Sequence, residues 1–159
     1  MSPEQNKSIV LRFYKSFDES QIDQALNLLS PNFTAHLGRV STPLNKEEFK
    51  EFGMKFYLAF SQSQHRFDEV IVSGDKVVTC GIFTAIHTAE FQGLPATGKQ
   101  VNLAIMHIDR LENGKIIEHW GYGDALGLMQ QLGVMFLPSP TLFPAILKNL
   151  SFKFLKKFG

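Results

Sequence analysis

Apolar residues recur every three or four positions over the first 60 residues and every second position from about 65 to 123, so a helical front precedes a sheet-forming remainder. Ile9, Val10, Phe13, Tyr14 and Phe17 form one helical stripe. Ser2-Pro3-Glu4-Gln5 ahead of it supplies a Ser cap, a proline in the first turn and a Gln placed to close a capping box. A short helix follows from about 21 to 29 and stops at Ser30-Pro31-Asn32, because proline disfavours helix at the residue before it. Phe33 to His36 reads as an extended segment. Asn45-Lys46-Glu47-Glu48 is a second capping box and opens a third helix with Phe49, Phe52, Phe56, Tyr57 and Phe60 on its inner side.

Strands are predicted over 65–73, 76–88, 100–111 and 115–123. The second, with Val77, Val78, Cys80, Ile82, Phe83 and Ile86, is apolar on both faces, as in a strand covered on both sides. Asn113-Gly114 tolerates the positive φ of a two-residue hairpin and sets Glu112 opposite Lys115. That register places His107 opposite Trp120, Ile105 opposite Tyr122 and Leu103 opposite Asp124. One face then carries an imidazole, a phenol and a carboxyl among apolar groups, the make-up of a small-molecule pocket. His119 falls on the other face with Met106, Ile108 and Arg110, as a sheet-interface residue. Arg110 pairs with Glu112 or Glu118. A short helix from Asp124 to about Leu132 ends at Gly133. Helices followed by a meander of long strands predict an α+β fold, with helices packed on one face of a curved, mainly antiparallel sheet.

At 159 residues this is one domain of ordinary size. The single cysteine, Cys80, cannot form an intrachain disulfide, the polar N-terminus does not resemble a signal peptide, and no run reaches the ~20 apolar residues of a span, so a cytoplasmic location is expected. A net charge of +1 argues against a general nucleic-acid binder. Through Asp124 there are 12 Lys/Arg and 15 Asp/Glu; after it come four lysines and no acid. The chain therefore divides into a domain over 1–133 and a basic, apolar extension over 134–159. On a helical wheel Phe143, Leu147, Leu150, Phe154 and Phe158 share a side, but Phe152 falls among the lysines. Three readings of this extension stand open: a helix packed on its own domain or a partner subunit, a basic helix on an anionic membrane, or disorder.

Several stretches together resemble the SnoaL-like polyketide cyclases, of the nuclear-transport-factor-2-like fold superfamily. They are Phe13-Tyr14-Lys15-Ser16-Phe17, Ser30 to His36, Gly93-Leu94-Pro95-Ala96-Thr97-Gly98-Lys99, Arg110 to Trp120 and Asp124 to Gly133. The likeness spans about residues 5–133. It implies a cone-shaped barrel around a deep apolar pocket, a homodimer joined through the sheets, and ring closure by intramolecular aldol condensation without metal or cofactor. It also implies that Asp124 is the pocket's general acid/base and that His36, His87 and His107 are its histidines. A carboxylate in an apolar cavity has its charged form disfavoured, which lets it cycle protons near neutral pH. His107 or Tyr122 is then the donor to the enolate oxygen. Trp120, Tyr122, Tyr14, Phe17 and Phe56 line the space around a hydrophobic substrate.

Each role has a structural rival. Asp124 is also placed to cap the helix that follows, and a histidine in an apolar strand is commonly a satisfied core residue. The five histidines show no metal-ligand spacing, so no metal is expected, and the Gly93–Gly98 stretch lacks the strand-loop-helix setting of a phosphate cradle. The two rival functions are a non-catalytic binder of an apolar molecule or lipid and a dimerisation scaffold whose cavity is filled by its own side chains. On the membrane reading of the extension, a chain lacking residues 138–159 loses the binding to anionic vesicles that the full chain shows in a flotation assay; equal binding by both removes that reading.

Overall fold

A computed structural model of the chain describes residues 2–38, 42–135, 141, 142 and 144. The elements run α1 (Pro3–Asp18), α2 (Ile22–Asn27), β1 (Leu29–Leu37), β2 (Leu44–Asn45), α3 (Lys46–Ala59), β3 (Phe60–Ser73), β4 (Lys76–His87), β5 (Gln100–Glu112), β6 (Lys115–Gly123) and α4 (Ala125–Leu132). Most of the extension beyond Gly133 lies outside the described residues. No described helix is long and apolar enough to cross a membrane.

Both capping boxes form. Ser2 Oγ accepts from Gln5 N and Gln5 Oε1 accepts from Ser2 N; Asn45 Oδ1 accepts from Glu47 N and Glu48 N, and Glu48 Oε2 accepts from Asn45 N. They fix where α1 and α3 begin, and hence which side chains of each point at the sheet.

The six strands make one sheet in the order β2-β1-β6-β5-β4-β3, antiparallel throughout except for the parallel β1–β6 pair. α1 packs on the concave face and buries Val10, Phe13, Tyr14 and Phe17 against β-strand residues that include Phe33, Val77 and Ile116. A second cluster, with Phe60, Phe83, Val101, Leu128 and Leu132, closes the other end under α4. β3 starts at Phe60, five residues earlier than predicted: Phe60 and Ser61 pair with His87 and Ile86, so the apolar residue that looks like the last of a helical stripe is the first of a strand.

The hairpin departs from its predicted register. Glu112 faces Lys115 and Leu111 faces Ile116, but Arg110 faces Glu118, leaving Ile117 as an extra residue on β6. A bulge of one residue turns every later side chain to the opposite face. Asp109 therefore faces His119, Ile108 faces Trp120, His107 faces Gly121 and Met106 faces Tyr122. The expected pairings of His107 with Trp120 and Ile105 with Tyr122 do not occur. His119, expected on the sheet interface, lies on the concave face with His107, and Trp120 lies on the convex one.

Beside the second irregularity of β3, between Phe67 and Glu69, a Cβ on Gly81 would sit 2.0 Å from the Arg66 carbonyl oxygen. That contact is backbone and cannot swing away. Gly81→Ala is expected to lower the unfolding free energy by about 2 kcal/mol or more in a urea titration. Gly53→Ala in α3, where the nearest atom outside the helix backbone is 3.6 Å away, is expected to raise it by roughly 0.5–1 kcal/mol.

Candidate active site

Between α1, α3 and the concave face lies a cavity of about 200 Å³ with walls of Phe13, Phe17, Phe49, Phe56, Phe83 and Leu103. It meets an outer groove of about 310 Å³ that shares Phe52, Phe56 and Leu103 and adds Phe91, Leu128 and Met129. The interior is thus not wholly filled by its own side chains. Besides the phenols of Tyr57 and Tyr122, four polar side chains interrupt the apolar lining: Tyr14, His65, His107 and His119.

These four are held by groups behind them. Asp109 has no exposed surface. One of its carboxylate oxygens, Oδ2, accepts from the Tyr14 hydroxyl at 2.8 Å, and Oδ1 lies 2.8 Å from His119 Nδ1. Burial, followed by the Asp109 charge, pushes the Tyr14 phenol well above its ordinary pKa, so Tyr14 remains a donor. A second carboxylate–imidazole pair stands across the cavity: Asp18 Oδ1 lies 2.6 Å from His65 Nδ1, while Asp18 Oδ2 accepts from the His65 backbone N–H at 3.0 Å. Tyr57 is pushed above the ordinary phenol range by burial and then by Asp18.

His107 stands between the two pairs. Its ring centroid is 5.4 Å from that of His119 and 6.4 Å from that of His65, and it stacks on Tyr14 at 4.8 Å. Its Nδ1 meets Thr79 Oγ1 at 3.3 Å. Burial first, then the neighbouring His119 and His65, hold its pKa well below the ordinary value, so this imidazole is neutral. No hydrogen-bond partner among the described residues meets the Nε2 of His65, His107 or His119, and none of the three is sealed away, since only His87 Nε2 is both buried and unpartnered. A Cβ on Gly121 would lie 2.7 Å from His119 Nε2, so the glycine keeps the space beside that atom open.

Of the residues expected to line the pocket, Tyr14, Phe17, Phe56 and His107 do so. Tyr122, 57% exposed, reaches only the mouth. Trp120 is displaced by the bulge and stacks on His36 at 5.0 Å, away from the cavity; His36 Nε2 bonds to Glu118 Oε1, whose other oxygen takes two hydrogen bonds from Arg110. Partial burial works against Glu118, yet Arg110 and His36 lower its pKa overall. His87 is buried at the far end of β4, bonded to Thr97 and stacked on Phe60. Asp124 is exposed, caps α4 through Gly127 N at 2.8 Å, and is not among the cavity-lining residues. The bulge that moved His119 inward left this carboxylate at the rim, where the helix amides hold it.

A family model, SnoaL-like polyketide cyclase, matches residues 8–132. The chain belongs to the SnoaL-like polyketide cyclases. A search of curated proteins by sequence gave no match. Solved structures similar to this family member include IdmH of Streptomyces antibioticus, a candidate polyketide cyclase, with 25% identity and a TM-score of 0.73 over 82% of this chain and 99% of that one. Another is a candidate polyketide cyclase from Acidithiobacillus ferrooxidans, with 27% identity and a TM-score of 0.72 over 83% and 97%. AclR of Streptomyces galilaeus, a candidate hydroxylase, has 21% identity and a TM-score of 0.79 over 85% and 100%, and shows the fold alone.

The sequence gives Asp109, Asp18 and His65 no site role and places His119 on the sheet interface. Asp109 had a signal: it lies two residues from His107 on the same strand, so it shares the face of His107 whatever the hairpin register. His65 and Asp18 are 47 residues apart and meet only because α1 crosses β3.

The depressed pKa of His107 has a consequence for stability. As pH falls below the ordinary histidine value of 6.5, the unfolded chain takes a proton that the folded chain refuses, so the folded state loses stability there and is unaffected above it. Urea unfolding from pH 8 to pH 5 is expected to show native protein losing up to about 1.4 kcal/mol per pH unit more than His107→Asn below pH 6.5.

Proposed function

We propose that this family member is a cyclase- or isomerase-type enzyme that moves a proton α to a carbonyl in an apolar substrate, with His119 as general base in place of Asp124. The observation that carries the reading is the fully buried Asp109 carboxylate, fixed by Tyr14 on one oxygen and by His119 Nδ1 on the other, with His119 Nε2 open to the cavity. Nδ1–H directed at the carboxylate leaves the lone pair of Nε2 toward the substrate, and the nearby negative charge stabilises the imidazolium that forms. His107, neutral and alongside, offers a polar contact for the substrate without adding a charge.

The aromatic walls support an apolar substrate held against that base, which shortens the search for a reactive geometry. The cavity and the groove it meets accommodate a compact ketone with an apolar extension. A homodimer through the sheet is part of the same proposal and is supported by apolar side chains on the convex face, with Ile71 and Met106 each half-exposed.

The test follows the α-hydrogens of 2-tetralone, a compact apolar ketone, exchanging with D₂O by proton NMR. Native protein and Asp124→Asn are expected to exchange at similar rates, since Asn is also a good helix cap. His119→Gln and Asp109→Asn are expected to fall at least about a hundredfold, within the range for a positioned acid/base. Loss of exchange in Asp124→Asn with retention in His119→Gln would return the role to the carboxylate.

A further inference from the structure

We infer that His65, held by Asp18, is a second catalytic residue of this cavity, binding and protonating the substrate oxygen while His119 works on the carbon. This rests on the proton-transfer reading above and adds to it the group that completes the reaction. Taking an α-proton leaves negative charge on the carbonyl oxygen, and an apolar cavity disfavours that charge strongly unless a donor meets it. His107 is neutral, so it contributes a hydrogen bond at most. Tyr14 has committed its hydroxyl to Asp109 at 2.8 Å. Tyr122 lies at the exposed mouth, and Tyr57, whose pKa burial and then Asp18 raise, can donate a hydrogen bond but does not readily give up its proton, so among the polar lining groups His65 remains.

Its geometry suits the task. The 2.6 Å contact between Asp18 Oδ1 and His65 Nδ1, together with the 3.0 Å bond from the His65 backbone N–H to the same carboxylate, fixes the ring from two directions. Phe83 at 5.0 Å and Tyr14 at 5.1 Å pack against the ring and limit its rotation. Nε2 is left toward the space that His107 and His119 also line. The cavity therefore holds two imidazoles, each backed by its own carboxylate, on either side of a neutral one.

The step starts from the form that has a proton on His65 Nε2 and a lone pair on His119 Nε2. His119 Nε2 takes the α-proton, the C–H pair becomes the new C=C bond, and the carbonyl π pair moves onto oxygen, which takes the proton from His65 Nε2. The product is a neutral enol, with a positive charge moved from His65 to His119. In a ring closure the enol carbon attacks a second carbonyl carbon, the enol O–H returns its proton to His65, and His119 protonates the new alkoxide. Both residues end as they began, and no further reactant enters.

The experiment uses the full chain, with 2-tetralone exchange for turnover and 2-naphthol, a planar mimic of its enol, for binding. The imidazole nitrogens are read by ¹⁵N NMR of histidine-labelled protein. The expected result is that 2-naphthol shifts the Nε2 signals of His65 and His119 together, that His65→Gln lowers kcat for exchange about a hundredfold with KM within twofold, and that Asp18→Asn, which keeps His65, lowers kcat at least tenfold. Native-like far-ultraviolet circular dichroism and a Tm well above the assay temperature qualify each variant. Exchange at the native rate in His65→Gln while His119→Gln is inactive overturns the role of His65 and leaves the base assignment standing. A His65 Nε2 signal unmoved by 2-naphthol also overturns it. Absence of exchange in native protein overturns the proton-transfer reading itself, and with it this proposal.

Discussion

Removing the Asp109 carboxylate from water would cost several kilocalories per mole if its oxygens and charge were left unmet, and the fold is arranged so that they are not. Tyr14 comes from α1, His119 from β6 and Asp109 from β5, so satisfying one buried anion requires the helix to seat on the sheet and two strands to hold their register. The same contacts set the cavity. Tyr14 stacks on His107 and lies edge-on to Phe13 and Phe67, so the hydroxyl that meets the anion belongs to a ring that forms part of the wall. Breaking the Tyr14 or His119 contact would leave an uncompensated charge in the core, typically a loss of about 3–5 kcal/mol.

The bulge at Ile117 decides which chemistry faces inward. With an unbroken register, Trp120 and Tyr122 would fill the space beside His107 and His119 would point away from it. The extra residue reverses this and brings Gly121 alongside His107, so an imidazole enters the site next to a position with no side chain. Trp120 meets His36 instead, and Glu118 is held between His36 and Arg110 on the convex side.

Much of the fold was legible because helix caps, periodicity and the Asn-Gly turn are local signals. Ser2 and Asn45 cap where the sequence places them, and the four long strands lie where the alternation does. The bulge was not legible: Lys115-Ile116-Ile117-Glu118 alternates no better in one register than in the other, and Leu111 faces Ile116 in both, so the choice is made further along, where His119 meets the buried Asp109. The site was half legible. Tyr14, Phe17, Phe56 and His107 follow from helix stripes and strand parity, which a bulge elsewhere does not disturb. Asp124 carries both a cap signal and a family signal, and the cap is what the geometry shows. The Asp18–His65 contact joins a helix end to a strand middle, and no spacing rule reaches across that distance.

The arrangement also explains why the fold does not name the reaction. AclR, a candidate hydroxylase, shares this fold, so the fold by itself does not fix the chemistry. In this chain the polar groups in the apolar wall are imidazoles and phenols, and two carboxylates stand behind His65 and His119 at hydrogen-bond distance. An imidazole in contact with substrate changes between neutral and cationic; a bare carboxylate in the same place would change between anionic and neutral, and the phenylalanine walls would oppose its anion. Putting the acid one layer back lets its fixed negative charge be met by Tyr14 and His119, or by His65, while the face presented to the substrate carries only groups whose resting form the cavity tolerates.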